Sequence, residues 1–185
     1  MRRSSVIAVI VRRATLPVVL GFTAAMFSVL LVVTGIAKVV SPADTARAIR
    51  AIGLRVPDQT GRMLGLLEVS VGLGAILSGL AAVFLVQGVM YGLFLGWVIV
   101  AKVKSVPLES CGCLGTPDTP PYWGHIAVDA IATISSFGLA LSGPFRLFDG
   151  PPSEVTVGLF LVILGGSLSW LIIGDGARLY GVLKS

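Results

Sequence analysis

Residues 63–101, MLGLLEVSVGLGAILSGLAAVFLVQGVMYGLFLGWVIVA, decide the fold class of this chain. The stretch is almost wholly apolar, and no charged residue follows Glu68 until Lys102. As a single helix it would be roughly 58 Å long at about 1.5 Å per residue, about twice the thickness of a bilayer core. It therefore predicts two membrane spans joined by a tight turn, with Ser78-Gly79 as the best helix breaker between them.

The composition of the whole chain agrees with an integral membrane protein. Of its 185 residues 55% are hydrophobic and 12% are charged, and its mean hydropathy is +0.96. A soluble domain of this length needs far more polar surface. The net charge is +5. We attribute it to basic residues at helix ends, which face lipid headgroups or water. We find no nucleic-acid motif, and we expect the lipid bilayer to be the main partner.

The other apolar stretches complete an all-α architecture of five spans. The predicted spans cover about 16–40, 63–77, 81–101, 126–141 and 155–173. Residues 1–15 are expected to be a retained basic tail, because Arg12 and Arg13 interrupt the apolar run that a signal peptide needs. Residues 16–145 would form one bundle, and 146–185 a linker, the fifth span and a short polar tail. Pro17 is expected in the first helical turn.

A short amphipathic helix is predicted between the first two spans. Pro42 suits a helix start, and Arg47 and Arg50 alternate with apolar residues at helical spacing. Gly53 and Pro57 would end it. We expect this helix to lie in the membrane interface.

The two cysteines of the chain, Cys111 and Cys113, lie one residue apart in a polar loop at residues 102–125. Gly112 permits the bent backbone that a disulfide between them would need. Such a small ring would be strained, and strained, exposed disulfides exchange readily. Lys102 and Lys104 are near enough in sequence to stabilise a thiolate. Redox use is the favoured interpretation.

Two other interpretations of the cysteine pair stay open. The cysteines could form a static disulfide clip in a non-catalytic scaffold or assembly subunit. They could also supply half of a metal site, which needs two more ligands. The chain offers its one histidine, His125, and the loop residue Asp118 for that purpose. No metal site is predicted from them.

His125 and Asp129 are four residues apart at the start of the fourth span, so they share a helix face. In a redox protein His125 could give or take a proton during thiol exchange, and Asp129 could orient it. The alternative is a pair that satisfies its own hydrogen bonds at the headgroup level.

Lys38 and Glu68 are charged residues within the predicted spans. A carboxylate at membrane depth usually faces the interior of the bundle. Glu68 is expected about one turn from the start of the second span, where Lys38 could pair with it. The pair would fix helix register, or it would mark a proton-linked or quinone-linked site.

Gly88, Gly92 and Gly96 repeat every four residues along the third span. Small residues at this spacing let two membrane helices approach closely. We interpret them as a helix-packing face.

Several of these residues together resemble a known family. The segment Gly35-Ile-Ala-Lys38 with Ser41-Pro42, followed by Leu67-Glu68, is similar to the opening of DoxX-like membrane proteins. With Cys111-Gly112-Cys113-Leu114-Gly115 in the loop after the third span, the chain resembles the MauE (methylamine utilisation) branch over residues 16–145.

The resemblance implies a DoxX-like four-helix transmembrane bundle, to which this chain adds a fifth C-terminal span. It also implies a redox-associated protein that supports maturation of the disulfide-rich small subunit of methylamine dehydrogenase, alongside a thioredoxin-like partner. If the chain is an enzyme, it would be a thiol–disulfide oxidoreductase acting on that partner or on a disulfide-containing client. No bound cofactor is implied, although a quinone could accept the electrons.

The orientation in a bacterial-type cell membrane is predicted with the Cys111 loop outside the cytoplasm, where disulfides persist. Counting positive charges gives the opposite orientation. With the N-terminus inside, the inner side carries five basic residues and the outer side nine, four of which lie in or beside the amphipathic segment. We favour the chemical argument over the charge count.

Overall fold

The computed structural model describes residues 2–103, 123–149 and 151–174, with side chains from Leu16 onward except at 154, 170 and 172–174. These residues form six α-helices: α1 (Arg2–Val40), α2 (Pro42–Ala51), α3 (Gln59–Ser78), α4 (Ala81–Val103), α5 (Trp123–Ser142) and α6 (Pro152–Gly174). The described part contains no strand. The predicted all-α fold is confirmed.

The distribution of polar and apolar side chains is that of a membrane protein. Glu68 and Gln87 are 0% exposed, whereas Leu141 is 88% exposed. Such an arrangement is stable where the surroundings are lipid and the bundle interior satisfies the polar groups. Among the described residues, four helices are long and apolar enough to cross a bilayer: α1 from Leu16, α3, α4 and α5. The apolar part of α6 that could be assessed, Val155–Ser169, is shorter.

Helices α1 and α3 form the closest pair, and glycines make that approach possible. A Cβ atom added to Gly65 would lie 2.5 Å from the carbonyl oxygen of Gly35, and one added to Gly72 would lie 2.6 Å from that of Ser28. These positions show that the two helices run antiparallel. Because membrane helices gain no hydrophobic burial from meeting each other, such close backbone packing is a main source of their attraction.

Helix α4 runs in the same direction as α1. The side-chain amide of Gln87 donates to the carbonyl of Ala24, and one turn further along the hydroxyl of Tyr91 donates to that of Phe27. Tyr91 also packs edge-on against the Phe27 ring, with centroids 5.7 Å apart. Its aromatic area and hydroxyl bond together fix the register of α1 against α4.

Helix α5 runs antiparallel to α4. Gly88 faces the ring of Phe137, and a Cβ atom added to this glycine would lie 3.1 Å from that ring; one added to Gly92 would lie 3.8 Å from Thr133. At the far end Lys102 lies over the ring of Trp123. We call this end, where α4 stops and α5 starts, the cysteine-side end, because Cys111 and Cys113 lie between the two helices in sequence.

Helix α6 packs along α1 in a parallel direction. Gly158 lies against the ring of Phe22, and Gly165 lies against Met26 further along both helices. Helix α6 therefore starts at the end opposite to the cysteine-side end and stops near it. That direction agrees with a fifth span, which stays a prediction.

The predicted turn between the second and third spans is present at Ser78-Gly79. Gly79 has a φ of 62°, the left-handed conformation that ends many helices, and its N–H bonds the carbonyl of Ala75. The carbonyl of Gly79 accepts a hydrogen bond from the N–H of Phe145 at 3.1 Å. This bond ties the turn to the segment between α5 and α6.

The amphipathic helix is present as α2 and packs mainly on α3. Thr45, Ala46 and Ala48 are buried, while Arg47 pairs with Asp44 on the exposed side. Arg50 bonds Asp58 at 2.9 Å and the carbonyl of Val56, which closes the connection to α3.

Two details of the sequence-based prediction are wrong. Pro17 lies inside α1, because that helix already begins at Arg2. Helix α3 begins at Gln59 rather than at 63, so the polar residues 59–62 belong to the helix. Glu68 is therefore the tenth of twenty residues, halfway along α3, and not one turn from its start.

Candidate functional site

The interior of the bundle holds a buried charge pair that joins α1 to α3. The ammonium of Lys38 donates to Oε2 of Glu68 at 2.8 Å, and both side chains are almost fully buried. The hydroxyl of Thr34, one turn earlier on α1, lies 3.1 Å from the same oxygen and also 3.2 Å from the carbonyl of Leu31. The predicted pairing of Lys38 with Glu68 is thus present in the structure.

The other oxygen of Glu68, Oε1, has no hydrogen-bond partner among the described residues. Both Lys38 and Thr34 direct their hydrogen bonds to Oε2. A buried carboxylate oxygen without a donor is costly. The Glu68 carboxylate therefore lacks a hydrogen-bond donor at Oε1 among the described residues.

Aromatic side chains from α4 form a wall beside this pair. The ammonium of Lys38 lies 5.5 Å from the centroid of the Phe94 ring, within the range of a cation–π contact. The Phe94 ring in turn packs edge-on against Tyr91 at 6.1 Å. Lys38 therefore contacts an aromatic ring of α4 as well as the Glu68 carboxylate.

A second buried polar cluster, which was not predicted from the sequence, joins three helices. It lies further from the cysteine-side end than the Lys38–Glu68 pair. Gln87 of α4 accepts a hydrogen bond from Ser28 of α1 at 2.7 Å and donates to Ser136 of α5 at 3.1 Å. Its amide also donates to the carbonyl of Ala24. The available signal was the presence of a single amide, Gln87, inside an otherwise apolar span.

His125 and Asp129 lie on the interior face of α5. Both are buried, at 2% and 8% exposure, and they share their face with Ser136, which bonds Gln87. Both are engaged by neighbouring groups. The expected shared helix face is present, and it points into the bundle interior. The alternative interpretation had placed the pair at the headgroup level.

Asp129 lies at nearly the same depth as the buried charge pair, because the Lys38 ammonium contacts Phe94, which is two residues from Gly96 on α4. The register of α4 against α5, set by Gly92 and Thr133, brings Gly96 level with Asp129. Asp129 is six residues, or about 9 Å, along α5 from its first residue, Trp123. The interior is thus polar from the cysteine-side end to the middle of the bundle.

The glycine face of α4 is closely packed over only part of its length. Gly88 lies against Phe137 and Gly92 is in ordinary contact with Thr133, but no atom of the described residues lies within 4 Å of a Cβ position at Gly96. The described residues thus show no packing contact at Gly96, and its part in the packing face stays a prediction. Gly96 lies on the exposed side of α4, because each four-residue step turns about 40° further around the helix axis.

Lys102 and Trp123 connect α4 to α5 where α4 stops and α5 starts. The Lys102 ammonium lies 4.5 Å from the centroid of the Trp123 ring. Lys102 is thus engaged by an aromatic ring, a role the sequence analysis did not foresee. Cys111, Cys113 and Lys104 lie outside the described residues.

Metal binding finds no support within the described segments. No three His, Cys, Asp or Glu side chains come together there to hold an ion. A site that uses the cysteines is not covered by this result, because both lie in the sequence between Val103 and Trp123.

Comparison with known proteins gives one match. The family model described as "Methylamine utilisation protein MauE" matches residues 16–143, which is more than half of the chain and includes helices α2 to α5 and the membrane part of α1. No curated protein matches the chain. No solved structure matches it either.

Proposed function

The chain belongs to the MauE family of methylamine utilisation proteins, and we propose that Cys111 and Cys113 act in it as a redox pair at the membrane surface. The pair would exchange disulfides with a thioredoxin-like protein or with a client protein. The biological role would be oxidative maturation of an extracytoplasmic partner of the methylamine dehydrogenase small-subunit type.

The observation that carries this proposal is the position of the cysteine pair in the architecture. The chain's two cysteines fall in the segment between α4 and α5, whose ends are linked by Lys102 and Trp123. His125, the one histidine of the chain, follows two residues after Trp123. Thiol exchange needs a surface position and benefits from nearby cationic and proton-transferring groups.

The proposed exchange balances without another reagent. A thiolate of the partner attacks one sulfur of the Cys111–Cys113 disulfide and forms a mixed disulfide, releasing the other cysteine as a thiolate. The second partner thiolate then attacks the mixed disulfide. The partner has lost two electrons and two protons to become a disulfide, and Cys111 and Cys113 have gained them as a dithiol.

The dithiol must be oxidised again before another cycle. A disulfide of a thioredoxin-like protein does this by the reverse exchange. A bilayer quinone is the alternative acceptor, since it takes up two electrons and two protons to become a quinol.

The cysteine loop is proposed to face outside the cytoplasm, despite the count of basic residues. Arg47 and Arg50, which weigh against this orientation, belong to α2, a separate helix that packs on the bundle rather than extending a span. An oxidising compartment is the one in which such a pair could cycle.

Labelling of intact cells with a membrane-impermeant maleimide tests both the chemistry and the orientation. We expect Cys111 and Cys113 to become labelled only after treatment with a reductant that does not enter cells. Variant Cys113→Ser should trap a mixed disulfide with the partner through Cys111, and Cys111→Ser,Cys113→Ser should trap none. Cysteines that are labelled only after the cells are permeabilised would contradict the orientation. Cysteines that stay unlabelled even then, both with and without reductant, would rule out the redox pair.

A static scaffold is the second candidate function, and the tightly tied interior supports it. Gln87 and the Lys38–Glu68 pair join four helices through buried polar contacts. If the cysteines form only a static clip, replacing both by serine should leave maturation of the partner intact.

Metal binding through Cys111, Cys113 and His125 is the third candidate. Elemental analysis of the purified chain tests it. Protein that contains no metal and still exchanges disulfides would exclude this candidate.

A further inference from the structure

The end of the bundle opposite to the cysteine-side end has a cavity of about 440 Å³. It is lined by residues of the α3–α4 turn and of the segment between α5 and α6: Ile76, Leu77, Ser78, Leu80, Arg146, Phe148 and Asp149. We call it the Arg146 cavity. Its volume is in the range of pockets that bind small molecules.

The Arg146 cavity is built on fixed backbone. The N–H of Phe145 bonds the carbonyl of Gly79, and the side chain of Arg146 crosses Gly79 so closely that a Cβ there would lie 2.7 Å from Arg146 Cγ. The Phe145 ring packs edge-on against Phe22 of α1 at 5.6 Å. The stem of Arg146 is therefore held in place, and ordering it for a ligand costs less than ordering a free surface arginine.

The cavity presents one positive and one negative group, which form a long and exposed ion pair with each other. The guanidinium of Arg146 and the carboxylate of Asp149 are 3.8 Å apart, and both side chains are more than half exposed. A charged hydrogen bond in direct contact is about 2.7–2.9 Å long. Because a long, exposed pair contributes little stability, a ligand that carries both charges can replace this contact and bind both groups.

The wall beside these two groups is apolar and continues onto the surface that faces lipid. Leu77 is 74% exposed and Leu80 is 53% exposed, and both lie where the spans α3 and α4 meet at their turn. Phe148 adds a third exposed apolar side chain. A ligand of this corner has a polar part at Arg146 and Asp149 and an apolar part along α3 and α4.

We propose that the Arg146 cavity binds the headgroup of a zwitterionic phospholipid with a primary amine, of the phosphatidylethanolamine class. The phosphate accepts hydrogen bonds from Arg146, and the ammonium donates to Asp149. The acyl chains lie along Leu77 and Leu80. A phosphatidylcholine has no N–H to donate to Asp149, and a phosphatidylglycerol has no positive group for it.

Native mass spectrometry of the full chain in detergent tests this site, with three lipids of identical acyl chains offered in equal amounts. We expect the bound fraction of phosphatidylethanolamine to exceed that of phosphatidylcholine and phosphatidylglycerol by about fivefold, the factor that one exposed charge pair provides. Soluble phosphoethanolamine should not compete at the same concentration, because it lacks the acyl chains.

Two variants separate the roles of the charges. Arg146→Gln should lower the binding of phosphatidylethanolamine about fivefold. Asp149→Asn should lower the binding of phosphatidylethanolamine to that of phosphatidylcholine, and the binding of phosphatidylcholine should not change. The control is Arg50→Gln, which removes an exposed arginine that pairs with Asp58 at the other end of the bundle. Equal retention of the three lipids, a preference for phosphatidylglycerol, or equal losses in Arg146→Gln and Arg50→Gln would overturn the proposal.

Discussion

Lys38 and Glu68 are thirty residues apart in the chain, yet their side chains meet in the bundle interior with 2.8 Å between Nζ and Oε2. The contact joins the two helices whose glycines allow the closest approach in the described part of the chain. It lies beside an aromatic wall on one side and an unsatisfied carboxylate oxygen on the other. Removing one partner therefore has a larger effect than removing both.

Glu68→Gln should destabilise the bundle by about 3–5 kcal/mol, because it removes the carboxylate charge that the buried Lys38 ammonium contacts at 2.8 Å. The double variant Lys38→Met,Glu68→Leu should lose less stability than Glu68→Gln, since apolar side chains then replace both charges of the pair. Unfolding in mixed micelles, followed by circular dichroism, measures the difference. Asp58→Asn, which breaks the exposed pair with Arg50, is the control and should cost less than about 1 kcal/mol.

Gln87→Leu should cost about 1–3 kcal/mol, because Ser28 and Ser136 lose a shared partner in a place that water does not reach. The same substitution at Gln59, the exposed first residue of α3, is the matched control. The same unfolding assay compares the two. Similar losses at both positions would show that the three-helix hydrogen bonds of Gln87 contribute no stability.

Gly65→Ala should force α1 and α3 apart, because its new Cβ would lie 2.5 Å from the carbonyl oxygen of Gly35. We expect a loss of about 1–3 kcal/mol or more, as for other overpacked interiors. Gly96→Ala is the control: a Cβ there meets none of the described residues, and alanine favours the helix by about 1 kcal/mol. A stable Gly65→Ala variant would contradict the close approach of the two helices.

Lys102→Met should cost about 0.5–1 kcal/mol, because it removes the cation from the face of the Trp123 ring. Lys102→Arg should keep most of that stability, since a guanidinium also stacks on aromatic faces. Both variants can be followed by the change in Trp fluorescence on unfolding. If Lys102→Met and Lys102→Arg behave alike, the ring contact does not stabilise the junction of α4 and α5.

The sequence predicted the features that depend on single residues. Gly79 ends α3 because glycine adopts the left-handed conformation without strain, and Ser78-Gly79 was the best breaker in a long apolar run. Lys38 and Glu68 were expected to meet because a buried charge inside a membrane bundle needs a partner. Such constraints are local or electrostatic, and they can be recognised without knowing which helix faces meet.

The features that depend on helix faces were missed or misplaced. Membrane helices are apolar on the lipid side as well as on the protein side, so hydrophobic periodicity does not identify the contact face. The glycines of α4 were expected to form a packing face, and Gly88 and Gly92 do contact α5. The tighter glycine contacts between α1 and α3, at Gly65 and Gly72, were not predicted. For the same reason the sequence did not identify the hydrogen-bond partners of Gln87 on two other helices.

The start of α3 was misplaced for a different reason. Residues 59–62 are polar enough to resemble a loop, but they continue the helix beyond the apolar span towards α2. A transmembrane helix can extend past the lipid, and hydropathy marks only its apolar part. Because α3 begins four residues earlier than predicted, Glu68 lies in the middle of the helix and not one turn from its start.

The direction of α6 has a practical consequence for finding the compartment of the cysteines. Helix α6 lies parallel to α1, so Gly174 is near the same end of the bundle as Val103 and Trp123. Only the eleven residues 175–185 separate Gly174 from the fusion point. A reporter enzyme fused after Ser185, active in only one compartment, would thus reveal where Cys111 and Cys113 reside while both thiols stay unmodified.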